Sequence, residues 1–198
     1  QLASLERSEL SVKFSGAAGN YNAHHAAFPR IDWPAFSGKL VAAANRGLAI
    51  KLVLNPAATQ IDPHDAYAEL FDALRRINTV LLDLSRDMWL YISAGLVVQK
   101  NMKGEVGSST MPQKINPIQF ENAEGNLGLA NALFSFFSAK LPVSRLQRDL
   151  SDSTVERNFG AAFAHSLIAW RSLAEGLRRA EVNAAGAAEE LRAHPEVY

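Results

Sequence analysis

PIQFENAEGNLGLANALFSFFSA, running from Pro117 to Ala139, is the stretch whose period decides the fold. Phe120, Ala123, Leu127, Ala130, Phe134 and Phe137 recur at three- and four-residue steps, the repeat of one face of an α-helix. The other sides are apolar or small as well, through Gly125, Gly128, Leu129, Ala132 and Leu133, so this helix is expected to have neighbours on more than one side. Burial inside an oligomer of the chain accounts for that. Two flanking segments share the period. Leu70, Leu74, Ile77, Leu81, Leu84, Met88, Tyr91 and Gly95 mark a helix from Asp65 to about Gln99. Phe159, Phe163, Leu167, Trp170, Leu173 and Leu177 mark another over roughly Ser153 to Arg179. Three helices this long in 198 residues predict an all-α, elongated helical bundle.

Outside these segments the pattern is weaker. Phe14 to His24 is glycine-rich, a short helix is expected over about Pro34–Asn45, and an irregular stretch through Asn55-Pro56 leads to Asp65. After Glu181 the chain turns alanine- and charge-rich, which places a domain boundary near residue 180, with 1–180 as one helical domain and 181–198 as the start of another.

Twenty basic and twenty acidic residues cancel, which argues against a protein that coats nucleic acid but not against one that grips a single phosphate. Cysteine is absent, so disulfides and thiolate metal sites are excluded and the reducing cytosol is a compatible location. No apolar run approaches the roughly 20 residues that span a bilayer. The start at Gln1, with neither initiator methionine nor leader pattern, reads as an internal cut.

Chemistry concentrates in two places. Gly107-Ser108-Ser109-Thr110-Met111-Pro112-Gln113-Lys114-Ile115-Asn116-Pro117 joins a hydroxyl-bearing loop to a lysine and an asparagine at a helix mouth. Gly104 and Gly107 loosen the approach, so the loop is expected to move. Pro117 suits a first helical turn, with Asn116 as N-cap and Gln119 as its capping-box partner. Free N–H groups there, together with Lys114, favour a carboxylate or phosphate. On the residues alone, a plain linker followed by an ordinary helix start remains open. The second place is Lys140 to Asn158, where Ser153 and Glu156 form a capping-box pattern, Arg157 follows one turn on, and Arg148 sits on the incoming loop. Two guanidinium groups beside a helix N-terminus make a phosphate receptor. The alternative is that Ser153 only caps while the arginines pair with Asp149, Asp152 and Glu156.

The run Gly-Ser-Ser-x-Met-Pro-x-Lys-x-Asn-Pro resembles the signature of the fumarase/aspartase superfamily, whose members eliminate fumarate from succinyl-type substrates. Ser144-Arg145 through Arg157-Asn158, Glu121-Asn122-Ala123-Glu124-Gly125-Asn126-Leu127-Gly128-Leu129 and Gly19-Asn20-Tyr21-Asn22-Ala23-His24 narrow the resemblance to the bacterial adenylosuccinate lyase family, from about Lys13 to about Leu191. The resemblance implies a lyase of purine biosynthesis that splits adenylosuccinate into AMP and fumarate, and likewise the succinyl-carboxamide ribonucleotide. It implies Ser108 as the general base, Lys114 and Asn116 as holders of the substrate carboxylate, and Glu121 as support for that pocket. Ser109 and Met111 would touch substrate, Arg148, Ser153 and Arg157 would grip the phosphate, and Gln60 would contact the succinyl part. It further implies a cytoplasmic homotetramer with composite active sites, no metal or organic cofactor, no nucleic acid and no membrane.

That chemistry is physically coherent. Removing a proton next to a carboxylate builds charge on it, and a lysine beside a helix N-terminus stabilises such charge. A serine is a poor base unless cations and exclusion of water favour its ionised form, which a closing loop supplies. The family's acid comes from histidine motifs of the Thr-x-x-Asp-x-x-His and Thr-His-Gly-Gln-Pro types, and neither occurs here. The chain is therefore expected to be a fragment, inactive alone. Of the five histidines, His24, His25, His64, His165 and His194, we expect His64 and His165 to be structural. Gln113 is more usual in argininosuccinate lyases, which makes that family the nearest rival. A non-catalytic helical oligomerisation scaffold is the rival from another class.

Overall fold

In the computed structural model, residues 2–100, 116–145, 150–194 and 196 are described. The elements in order are α1 (Leu2–Leu5), β1 (Glu9–Val12), α2 (Asn22–Ala27), α3 (Trp33–Ala44), β2 (Lys51–Leu54), α4 (Asp65–Ser93), β3 (Val97–Gln99), α5 (Ile118–Lys140), α6 (Ser151–Glu156), α7 (Phe159–Arg179), β4 (Ala180–Val182) and α8 (Ala184–Ala193). The protein is mostly helical, as the periods predict. Two compact units share the long helices: residues 1–77 with 132–160, and residues 78–131 with 161–198.

The first unit holds an unexpected pair of strands. β1 and β2 run parallel with Glu9 opposite Lys51 and Val12 opposite Leu54, and α2 and α3 lie between them in sequence. Each strand has only four residues, too short for an alternating pattern to stand out. Asp32 caps α3 by accepting from the Ala35 N–H at 3.0 Å, with Pro34 in the first turn. The core of this unit is aromatic. Phe71 of α4 stacks on Phe134 of α5 at 5.5 Å and meets Phe159 edge-on at 4.9 Å, and Phe137 lies 5.1 Å from Phe159.

In the second unit, Phe120, Ala123 and Leu127 of α5 meet Ala169 and Leu173 of α7, with Leu81, Leu84 and Met88 of α4 packed around them. Along all of α5 the expected face is confirmed, since Phe120, Ala123, Leu127, Ala130, Phe134 and Phe137 are buried to 1% exposure or less. Its opposite side is open in the single chain, with Leu129 at 55% and Phe136 at 54%.

Two helices differ in extent from the sequence reading, and one in the face it buries. α4 stops at Ser93, not near Gln99: Gly95 takes φ 74°, its N–H donates to Ile92 O, and Leu96 N–H donates to Tyr91 O. That is a Schellman ending, so Gly95 terminates the helix that its spacing suggested it continued. Residues 97–99 then pair antiparallel with β4, Val97 opposite Val182. The third helix is broken, because α6 ends at Glu156 and α7 starts at Phe159. On α7 the buried stripe is Ala162, Ser166, Ala169, Ser172, Leu173 and Gly176, whereas Phe163, Leu167 and Leu177 are exposed. Close helix contact explains this choice: a Cβ on Gly176 would sit 2.9 Å from the Phe120 ring and 3.1 Å from the Gln119 Cβ. Small residues make most of this contact, with Leu173 beside them, while Phe163, Leu167 and Leu177 face outward.

Candidate functional site

Gln60 lies on an irregular segment between β2 and α4, in the first unit, and is partly buried. The segment is held by side chains that follow from the strand pair. Ser11 of β1 donates to Asp62 Oδ1 at 2.8 Å, and Asn55, just past β2, donates to the same oxygen at 3.1 Å. Lys13, one residue beyond β1, donates its ammonium to the carbonyls of Gly16 at 2.7 Å and Thr59 at 2.8 Å, and also to that of Gln60. Burial lowers the Lys13 pKa from its ordinary value, and the Asp62 carboxylate partly opposes that shift. The glycine-rich loop presses on the same segment. Gly19 has φ 73°, and a Cβ there would overlap the Ala58 carbonyl oxygen at 1.8 Å. Only glycine fits that contact.

His64 ends the segment with φ 59°, left-handed for a non-glycine residue, and its carbonyl accepts the first α4 bonds from Tyr67 and Ala68. Its ring stacks on Tyr67 at 5.2 Å, its Nε2 lies 3.7 Å from Glu156 Oε1, and its buried Nδ1 has no hydrogen-bond partner among the described residues. Burial first, then the Glu156 and Asp62 carboxylates, push the Tyr67 phenol above its ordinary pKa. Thus His64 links the Gln60 segment to α6.

α6 carries two of the expected site residues, and it corrects how they are presented. Ser153 is the third helical residue and not the N-cap. Leu150 holds the cap position without a side-chain hydrogen bond, so the Ser153–Glu156 capping box does not form. Glu156 faces His64 instead. Ser153, Glu156 and Arg157 are spaced to share one face, with Ser153 partly buried and Arg157 exposed at the C-cap. The helix has six residues, so its dipole adds little to phosphate binding. Asp152, 4% exposed, takes a 2.9 Å hydrogen bond from Lys140 at the end of α5.

Asn116 and Glu121 belong to the second unit. α5 begins one residue later than the sequence suggests: Pro117 O accepts from Phe120 N at 2.9 Å and Glu121 N at 3.2 Å, which puts Pro117, not Asn116, at the cap. The Gln119 side chain does not close a capping box, because its Oε1 takes a 2.8 Å bond from Ser172. Glu121 is exposed and accepts from Trp89 Nε1 at 2.9 Å. His165 meets Asn126 Oδ1 at 2.7 Å, and His24 packs 4.8 Å from Trp33 and 5.4 Å from Phe14. Ser108, Ser109, Met111, Gln113, Lys114 and Arg148 lie outside the described residues, as do Gly104 and Gly107. Among the described residues no three His, Asp or Glu side chains gather as a metal site, and no helix is long and apolar enough to cross a membrane.

Sequence reasoning missed Lys13, Asp62 and Asn55 as builders of this site. A lysine directly before Phe14-Ser15-Gly16, and an Asn-Pro and an Asp-Pro bracketing Gln60, are the only signals they leave.

Comparison with known proteins shows the family. A family model described as lyase matches residues 1–131, and one described as adenylosuccinate lyase C-terminal matches residues 144–198. A relative named adenylosuccinate lyase from Escherichia coli (strain K12) is 49% identical over 197 residues, covering 100% of this chain and 42% of that protein. One of the same name from Dictyostelium discoideum is 51% identical over 201 residues, covering 98% of this chain and 41% of that protein. The chain thus spans about two-fifths of the length of the curated relatives it matches. Two solved structures share the fold. The 3-carboxy-cis,cis-muconate lactonizing enzyme from Pseudomonas putida superposes with TM-score 0.70 at 24% identity, over 96% of this chain and 40% of its own. The class II fumarase from Schistosoma mansoni does so with TM-score 0.58 at 20% identity, over 79% of this chain and 34% of its own.

Proposed function

Because the chain belongs to the lyase family, we propose that it forms part of an adenylosuccinate lyase, an enzyme that eliminates fumarate from adenylosuccinate to leave AMP. The succinyl-carboxamide ribonucleotide would react in the same way. The observation that carries the proposal is the 49% identity, across the whole chain, to a protein of that name. The adenylosuccinate lyase C-terminal match over residues 144–198 favours this reading over argininosuccinate lyase and over a scaffold without activity.

In the proposed reaction, Ser108 takes the proton from the carbon next to the substrate carboxylate. The electron pair passes into that carboxylate as an aci-carboxylate, then returns to form the fumarate double bond as the C–N bond breaks. Lys114 and Asn116 hold the charged carboxylate, each good donor contributing about 3 kcal/mol to the transition state. Glu121 supports the pocket, while Ser109 and Met111 line it. The leaving nitrogen takes a proton from a histidine of the motifs this chain lacks, so the chain alone is inactive. Gln60 meets the succinyl part, and Arg148, Ser153 and Arg157 hold the phosphate. The shared face of Ser153 and Arg157 supports that last assignment, with Arg157 exposed to solvent.

The working assembly is a cytoplasmic homotetramer in which one active site draws residues from different subunits. Leu129 and Phe136, exposed on α5, supply apolar surface for such packing. Residues 1–180 act as the central helical domain and 181–198 open the next. Arg157→Ala tests the phosphate grip: AMP affinity should fall by about tenfold, a loss of about 1.4 kcal/mol for one charge-assisted contact. Unchanged affinity would remove Arg157 from the site.

A further inference from the structure

Lys13 is a cation in the first unit whose bonding explains the shape of a proposed substrate contact. An ammonium group has three N–H donors and no acceptor. Here three backbone carbonyls receive it: Gly16 at 2.7 Å, Thr59 at 2.8 Å, and Gln60. With its donors engaged in this way, the lysine has none left for a ligand. It binds the protein's own backbone, in a stretch where no strand or helix satisfies those carbonyls. Two of the three belong to Gln60 and the residue before it; the third belongs to the glycine-rich loop. Lys13 therefore ties that loop to the Gln60 segment from the end of β1, while Ser11 on the same strand anchors Asp62 two residues further on.

We propose that Lys13 is a positioning residue for Gln60, fixing the main chain from which the glutamine side chain meets the succinyl part of the substrate. The proposal rests on the reading that Gln60 touches that part. The guanidinium of arginine spreads its donors over a planar fork, which fits three carbonyls converging on one point less well than the compact ammonium, so the proposal calls for lysine and not merely positive charge. The loop contact at Gly19 cannot replace it, because that contact supplies no donor to the carbonyls of residues 59 and 60.

The test is a double-mutant cycle in the full-length enzyme, with kcat/KM for adenylosuccinate as one readout and inhibition by AMP as the other. AMP lacks the succinyl part, so its affinity also reports whether each variant is folded. Gln60→Ala should lower kcat/KM by about tenfold with AMP inhibition unchanged. Lys13→Met and Lys13→Arg should each lower kcat/KM by at least about fivefold, again without effect on AMP. The Lys13→Met, Gln60→Ala double variant should be no worse than Gln60→Ala alone, since both remove one interaction. Full activity in Lys13→Arg, additive losses in the double variant, or equal loss of AMP affinity in Lys13→Met would each overturn the role of Lys13. No effect of Gln60→Ala itself would overturn instead the reading on which the proposal rests.

Discussion

Lys140, the last residue of α5, donates a 2.9 Å hydrogen bond to the carboxylate of Asp152, the second residue of α6 and 4% exposed. The ion pair joins the end of a long helix to the short one that carries Ser153 and Arg157. Lys140→Met leaves the buried charge without its cation. We expect a loss of about 2 kcal/mol, below the 3–5 kcal/mol of a fully enclosed pair because Lys140 keeps some solvent contact. Denaturant unfolding of Lys140→Met, and of Lys140→Arg as the partial rescue, measures it. Equal stability of Lys140→Met and wild type would refute the pair's importance.

Gly176 reports on the small-residue face of α7. Its missing Cβ leaves room for the Phe120 ring, which would otherwise lie 2.9 Å away. Gly176→Ala gains helix propensity of up to about 1 kcal/mol but must push that ring aside, at about 1–3 kcal/mol in a packed core. The net expectation is a lower melting temperature. A rise would show that the helices have slack at this point.

Much of this fold was legible because it is periodic. The α5 face from Phe120 to Phe137 was readable in full, since large and small apolar residues there share one stripe. α7 was readable as a helix but only partly in orientation: Leu173 is buried as expected, whereas Phe163 and Leu167, which outweigh Ala162 and Ser166 by hydrophobicity, are exposed because close packing selects the small pair. Gly95 fits a helical spacing as well as it fits a left-handed ending, and only backbone geometry separates the two. β1 and β2 escaped because four residues carry too little pattern and each strand's partner lies some forty residues away. At the site, types and spacing pointed to Ser153 and Arg157, and the family resemblance alone pointed to Gln60. The Lys13 and Asp62 contacts that place Gln60 depend on tertiary neighbours that no local pattern encodes.

Tyr67 offers a test by pH. Its phenol is pushed up by burial first, and by Glu156 and Asp62 next. The folded value therefore lies above the unfolded one of about 10. Below that, both states hold the proton and the contribution is intact. As pH climbs from there through the folded value, the unfolded chain releases its proton first and stability declines. Tyr67→Phe should flatten that alkaline decline, and in wild type one phenolate absorbance step should appear above the rest. A decline of the same slope in Tyr67→Phe would place its cause elsewhere.

The most direct measurement is fumarate release from adenylosuccinate by the full-length protein and by its Ser108→Ala variant, with AMP binding as the control for folding. Turnover is expected in the first. In the second, turnover should fall by a factor of about a thousand or more, with AMP still bound. Turnover at the wild-type rate in Ser108→Ala would remove Ser108 as the base, and no fumarate from adenylosuccinate in the intact protein would overturn the proposed function.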